Sequence, residues 1–143
     1  MSVRYEMTKA KVTVLMMAVG MLVLTGCSSA TVYQMASGER SAGAEGTVTL
    51  EQDDNGNFLG VLEIAHAPLP SQLDDQSSVY VLWMQPEDAN ERYNMGKIRL
   101  DPGDRTGELI FTTPFSGFDL WVTAEPHGSE TAPSDEVVLR YTR

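Results

Sequence analysis

Few residues of this chain could carry nucleophilic or metal chemistry. The sequence has 2 histidines, His66 and His127, and 1 cysteine. His127 is close to Ser129 and Asp135, but the Gly-x-Ser-x-Gly signature of a nucleophile elbow is missing. Glu63 and His66 are three positions apart, and on a strand such side chains point to opposite faces, which makes a poor metal site. We therefore predict no catalytic residue, no metal ligand and no cofactor, with a small hydrolase or metal-binding enzyme as an alternative.

Composition and charge exclude further classes of protein. A length of 143 residues suits one domain. The chain has 20 acidic and 10 basic side chains, for a formal net charge of -10. Nucleic-acid binding needs a clustered positive surface, so no nucleic-acid partner is expected. The apolar share of 42% indicates a folded domain, and a single cysteine excludes a disulfide framework.

The first part of the chain has the pattern of a secretory signal peptide. Basic residues Arg4, Lys9 and Lys11 precede an apolar run from Val12 to Leu24. The run is shorter than the roughly 20 residues that a membrane-spanning helix needs. A basic start followed by a short apolar run is typical of an export signal. The run ends in Leu24-Thr25-Gly26-Cys27, which contains the cysteine of this sequence.

Residues Leu24 to Cys27 resemble the lipobox of bacterial lipoproteins. The resemblance implies a thioether-linked diacylglycerol on Cys27, cleavage after Gly26 and acylation of the new amino terminus. By the same resemblance, Ser28 in place of aspartate favours the outer membrane, with the domain facing the periplasm. The expected membrane partner is then reached through the lipid on Cys27, because two or more acyl chains anchor a protein stably. An ordinary signal peptide with an incidental cysteine, or an uncleaved anchor, is the alternative.

These patterns divide the chain into three parts. Residues 1–26 are the predicted lipoprotein signal peptide. Residues 27–45 combine the lipidated cysteine with a segment rich in Ser, Ala, Gly and Thr, which is typical of a flexible tether. Such a tether would reach roughly 21 to 25 Å, so the domain over residues 46–143 could stand away from the lipid.

The domain is predicted to be all-β. Short runs rich in β-formers alternate with turn signals, and Asn55-Gly56 predicts a tight hairpin because both residues tolerate a positive φ. Val79 to Gln85 is apolar on both faces, which indicates a central strand with Trp83 in the core. About seven strands favour an immunoglobulin-like antiparallel β-sandwich. They are expected at residues 47–51, 58–65, 79–85, 95–100, 108–112, 118–125 and 136–141.

Three residues are candidates for facing a ligand. Glu125 precedes Pro126 at the end of a predicted strand, where its carboxylate could face a ligand or accept backbone N–H bonds. Trp121 alternates outward on the same strand. Tyr93 lies in a polar segment just before the strand predicted at residues 95–100. Aromatic side chains are enriched at interfaces, and Phe115 belongs to the same class of candidate. Packing on a sheet face is the alternative for each aromatic residue.

From Gly46 onward the chain also resembles the extracytoplasmic C-terminal domain of the anti-sigma-K factor family. The resembling residues are Gly46-Thr47-Val48, Tyr80-Val81-Leu82-Trp83, Gly96-Lys97-Ile98, Gly107-Glu108-Leu109, Val122-Thr123-Ala124-Glu125-Pro126 and Val137-Val138-Leu139. These are strand cores and turns, so the resemblance implies a fold more than an activity. The sigma-binding domain and membrane helix of those regulators have no counterpart here, and direct anti-sigma activity is not expected.

Together these patterns predict a lipid-anchored protein of the bacterial cell envelope. Its domain would be a non-catalytic module that binds a protein or cell-wall component. The alternative is an accessory sensor that influences an envelope-stress regulator of sigma factors.

Overall fold

The computed structural model describes residues 29–143 of the chain. The predicted signal peptide and the predicted lipidation site at Cys27 lie outside the described residues. The strands are β1 Thr31–Ser37, β2 Glu45–Gln52, β3 Phe58–Ala65, β4 Val79–Pro86, β5 Tyr93–Asp101, β6 Thr106–Thr113, β7 Phe118–Glu125 and β8 Val137–Tyr141. A 3-10 turn, Glu39–Ser41, follows β1, and one helical turn, Pro70–Leu73, lies between β3 and β4.

The strands form a closed antiparallel barrel. Their order is β1-β2-β3-β6-β5-β4-β7-β8, and β8 pairs with β1 to complete the circle. The all-β prediction is confirmed, but the predicted immunoglobulin-like sandwich of about seven strands is wrong. A sandwich has two separate sheets, whereas eight strands here join into one closed sheet without free edges.

Two strands close the barrel because each pairs with a different neighbour along its length. In β1, Thr31 to Met35 pair with β2, and Ala36 and Ser37 pair with β8. In β5, Tyr93 to Ile98 pair with β4, and Arg99 to Asp101 pair with β6. Strands that switch partners in this way form the corners at which the closed sheet bends.

Strand β1 lies in the segment that was predicted to be a tether. Its burial pattern explains the error, since Met35 is the one buried residue of this strand. The turn after β1 is also fixed: the Gly38 N–H and the Ser41 hydroxyl both donate to the Val138 carbonyl, at 2.8 and 2.6 Å. The flexible-tether prediction is therefore wrong from Thr31 onward, and the fold begins well before Gly46.

The β2–β3 hairpin forms where Asn55-Gly56 predicted it, with a different turn. Gly56 has a φ of +86°, whereas Asn55 does not have a positive φ. The Gly56 N–H donates to the Asp53 carbonyl, and the Asp53 carboxylate accepts the N–H groups of Asn55 and Asn57. The aspartate side chain therefore shapes a longer loop in which glycine supplies the left-handed residue.

The barrel interior is filled by alternating residues of the strands. On β7, Phe118, Leu120, Val122 and Ala124 point inward, as the alternation predicted, and all four are buried. The inward side of β4 contributes further large side chains, among them Tyr80, Leu82 and Met84. The core is therefore continuous from one end of the barrel to the other, as expected of a small barrel filled by side chains.

The loops divide between two ends, which we name by where the chain joins β1. The proximal end receives the chain at residues 29–30 and carries the loops 53–57, 87–92 and 114–117 and the carboxyl terminus. The distal end carries the segments 38–44, 66–78, 102–105 and 126–136.

Tyr80 makes the stability of the fold sensitive to high pH. Its side chain is fully buried, and its hydroxyl donates to the Pro68 carbonyl at 2.5 Å. Burial raises the pKa of Tyr80 well above its ordinary 10.0, although the nearby Arg105 lowers it in part. As the pH rises above 10.0, the tyrosine loses its proton in the unfolded chain while the folded chain still retains it. The free energy of unfolding therefore decreases over this pH range.

We therefore expect the free energy of unfolding to fall above about pH 10, by up to about 1.4 kcal/mol per pH unit from this group. Tyr80→Phe should cost about 1 kcal/mol near neutral pH through the lost hydrogen bond. The variant should also show a smaller decrease in the free energy of unfolding above about pH 10. Urea unfolding at a series of pH values measures both effects, and an identical alkaline slope in the two proteins would contradict the prediction.

Candidate functional site

A second apolar cluster lies outside the barrel, on the outer face of β4 and β7. Val81, Trp83 and Trp121 form it, and Trp83 lies directly opposite Trp121 on the paired strands. Trp83 is therefore buried as predicted, but against this outer face rather than inside the barrel. The outer face needs a cover, and the loop 126–136 is tied down beside it.

Glu125 is the centre of a buried polar chain under that loop. The Trp83 indole N–H donates to the Thr123 hydroxyl at 2.8 Å, and this hydroxyl donates to the Glu125 carboxylate. The Ser134 N–H donates to the same carboxylate oxygen at 2.8 Å, and the Ser134 hydroxyl donates to the Ala124 carbonyl. Glu125 is 2% exposed, so it fixes the loop to the sheet and does not face a ligand in solution.

The loop also closes on itself through Glu130. Its carboxylate accepts the backbone N–H groups of His127 and Gly128 at 2.8 and 2.7 Å. Partial burial raises the pKa of Glu130, but these backbone hydrogen bonds outweigh it and hold the pKa below its ordinary value of 4.5. Asn94 joins the loop to β5 by donating to the Gly128 and Glu130 carbonyls.

Trp121 is covered by an arginine. The Arg92 guanidinium carbon lies 4.0 Å from the centre of its ring, which is a cation–π contact. With 8% of its surface exposed, the Trp121 ring is not open to a ligand in this arrangement.

Tyr93 is the exposed member of the three candidates. It is 45% exposed and lies beside Phe115, with ring centroids 6.4 Å apart and planes inclined by 17°. Both residues belong to the proximal end, next to a shallow groove of about 320 Å³. The structure therefore separates Tyr93 from Glu125, which lies at the distal end of β7.

A wide groove lies on the opposite face of the barrel, across β2, β3, β6 and β5. It has a volume of about 670 Å³ and occupies the distal half of these strands. Its lining comprises Glu45, Thr47, Glu63, Ile64, Ala65, Arg99, Leu100, Asp101, Pro102, Thr106, Gly107 and Glu108. We call it the distal groove.

Strand register places three charged residues of the distal groove next to one another. Glu63 on β3 lies directly opposite Glu108 on β6, and Arg99 on β5 lies opposite Glu108 from the other side. Two carboxylates facing each other across strands repel, and one guanidinium offsets part of that repulsion. The groove is therefore suited to a cationic group, which would relieve the remaining repulsion.

Other candidate chemistry is not assembled within residues 29–143. There, no group of three or more His, Cys, Asp or Glu side chains is placed to hold a metal ion. His66 and His127 are both exposed loop residues, and in this part of the chain no side-chain hydrogen bond joins His127 to Ser129 or Asp135.

Sequence reasoning missed the residues that hold these features in place. Ser134 and Thr123 carry no motif, and their role depends on the loop 126–136 being tied to Glu125 on the outer face of β7. Glu63 and Glu108 are far apart in the chain, and only the β3–β6 pairing brings them together. Alternation could have placed each glutamate on an outer face, but not opposite the other.

Comparison with known proteins adds no assignment. No protein-family model matches the chain, and a search of curated proteins gave no significant match. The resemblances to bacterial lipoproteins and to the anti-sigma-K family stay predictions. Among residues 29–143, no helix is long and apolar enough to cross a membrane.

The buried polar chain yields a stability prediction. Thr123→Val keeps the side-chain shape but removes the hydroxyl between Trp83 and Glu125, leaving a buried N–H and a buried carboxylate without that partner. We expect a loss of about 1 to 3 kcal/mol in the free energy of unfolding. The exposed Thr112→Val on β6 is the matched control and should change stability by less than about 0.5 kcal/mol.

Urea unfolding monitored by tryptophan fluorescence measures both variants, since Trp83 and Trp121 are in the affected cluster. A Thr123→Val protein as stable as the Thr112→Val control would show that the chain of hydrogen bonds contributes little.

Proposed function

We propose that this chain is a lipid-anchored protein of the bacterial cell envelope whose barrel is a non-catalytic binding module. The observation that carries the proposal is the position of β1, which begins at Thr31, directly after the lipobox-like Leu24 to Cys27. Cleavage after Gly26 would leave all eight strands in the mature chain and a lipid four positions before the first of them.

The non-catalytic part of the proposal is supported by the roles of the polar residues. Glu125 is used to hold a loop, and both histidines are exposed in separate distal loops. The proposed ligand site is instead the distal groove, where Glu63 and Glu108 face each other on an open surface. The partner would be a protein or cell-wall component that presents a cationic group, because opposite charge both steers and holds it.

The anchor is tested by replacing the lipidated residue. Cys27→Ala should abolish lipid attachment, since no other thiol is available, and the protein should leave the membrane fraction or keep its leader. Ser28→Ala is the control and should still carry lipid on Cys27. Mass analysis of the mature polypeptide with membrane fractionation is the measurement. An intact leader or a bare thiol at Cys27 in the unaltered protein would overturn the proposal.

The distal groove is tested by reversing its charge. Glu63→Lys with Glu108→Lys should lose the component that crosslinks to the unaltered protein in intact cells. Glu51→Lys is the matched control, because Glu51 is an exposed glutamate at the proximal end of β2 and should retain the crosslink. Equal crosslinking by the charge-reversed and control proteins would exclude the groove as the binding site.

A further inference from the structure

Large exposed apolar side chains of residues 29–143 are confined to one half of the barrel. Among the described residues, the large exposed hydrophobics are Val32, Leu59, Tyr93, Ile110 and Phe115, with exposures between 40% and 59%. Val32, Leu59 and Tyr93 are first or second residues of strands that start at the proximal end, and Phe115 is in a proximal loop. Ile110 lies in the proximal half of β6, and no large exposed hydrophobic occurs in the described distal segments.

Three of these residues, Val32, Leu59 and Ile110, lie on one stretch of the outer face of the sheet. Val32 lies opposite Thr49, Thr49 lies opposite Val61, and Val61 lies opposite Ile110. Leu59 is two positions from Val61 on the same strand and face. The row therefore crosses four strands, with Thr49 as its polar member on β2, and it brings the exposed hydrophobics of β1, β3 and β6 onto one face.

The chain length between Cys27 and β1 decides what can cover this surface. Only residues 28–30 separate Cys27 from Thr31, so the start of β1 can lie at most about 14 Å from that cysteine. Ser29 itself lines a small groove with Ser116, the neighbour of Phe115. A lipid on Cys27 would thus hold Val32 and Phe115 next to the membrane surface.

The charges of this end select among membrane surfaces. The proximal segments carry mainly acidic residues, namely Asp53, Asp54, Glu87, Asp88 and Glu91, against the basic Arg92 and Arg143. Arg143 is already paired with Glu87 at 2.7 Å. Anionic headgroups would be repelled, whereas zwitterionic headgroups would accept tyrosine and apolar side chains at the interface.

We propose that the proximal end of the barrel rests on a zwitterionic phospholipid surface, with Val32, Leu59, Tyr93 and Phe115 in the headgroup region. This orientation rests on the proposed lipidation of Cys27. It directs the distal groove away from the membrane, towards a partner in solution or in the cell wall.

Hydrogen exchange read by mass spectrometry tests the orientation without added labels. The lipidated protein is placed on phosphatidylcholine vesicles and compared with an unanchored chain from Cys27 to Arg143 mixed with the same vesicles. That chain retains every strand of the barrel. Amides of residues 53–57, 87–92 and 114–117 should exchange several-fold more slowly in the anchored protein, whereas residues 66–78, 102–105 and 126–136 should be unchanged.

A serine variant and a change in the lipid composition of the vesicles extend the test. Val32→Ser with Leu59→Ser and Phe115→Ser should remove the protection while lipid on Cys27 persists. Gln34→Ser with Thr112→Ser, two exposed polar positions of the same face, is the control and should keep it. Adding anionic phosphatidylglycerol to the vesicles should weaken the protection.

The outcomes separate this inference from the proposed function. If mass analysis finds no lipid on Cys27 in cells, the proposed function fails, and the orientation is still measured after coupling Cys27 to a maleimide phospholipid. Protection at the distal segments, or none at the proximal loops, would overturn the inference. So would equal protection of the proximal loops in the unanchored chain at high concentration without lipid, which would indicate pairing of two copies.

Discussion

Closure of the sheet by β1 is the constraint on which the other features depend. Without β1, strands β2 and β8 would be free edges, and the inner face of the sheet would open to water between them. Besides its backbone pairing, β1 contributes Met35, its one buried side chain, and Tyr33, whose ring packs against Phe118 and Tyr141. Two further ties hold the corner: the Gly38 N–H donates to the Val138 carbonyl, and Arg40 pairs with Glu136 across it. The strand nearest the proposed lipid is therefore the strand that completes the fold.

The sequence predicted most strands because alternation is a local property. The bounds of β3 and β7 match the predicted 58–65 and 118–125, and the other predicted strands lie within observed ones apart from one residue at the start of β8. Closure depends instead on which strands pair, which no local pattern contains. The change of partner in the middle of β5 is one example. Gly60 is another: a Cβ there would lie 2.3 Å from the Phe111 ring, a contact that only the β3–β6 pairing creates.

The candidate site residues show the same limit of sequence reasoning. The alternative structural role of Glu125, a carboxylate that accepts a backbone N–H, agrees with the hydrogen bond that it accepts from the Ser134 N–H. Alternation correctly placed Trp121 on the outer face of β7, but it could not show that Arg92 would lie over the ring. An outward-facing position becomes buried when a loop or side chain from elsewhere covers it. Tyr93 remains exposed because the described structure offers it no cover except Phe115.

The large exposed apolar side chains lie in the proximal half of the barrel and the facing carboxylates of Glu63 and Glu108 lie in the distal half, and this arrangement has a physical consequence. Apolar groups at the proximal end gain free energy only where water is displaced, and a short tether keeps a membrane surface within reach of them. Glu63 and Glu108 gain most from a cation where the surroundings are open to a soluble partner. A tether of the length first expected would let the domain turn freely and would leave either surface to meet either environment. Because β1 starts at Thr31, the same few residues that would join the barrel to its lipid would also fix which end meets the membrane.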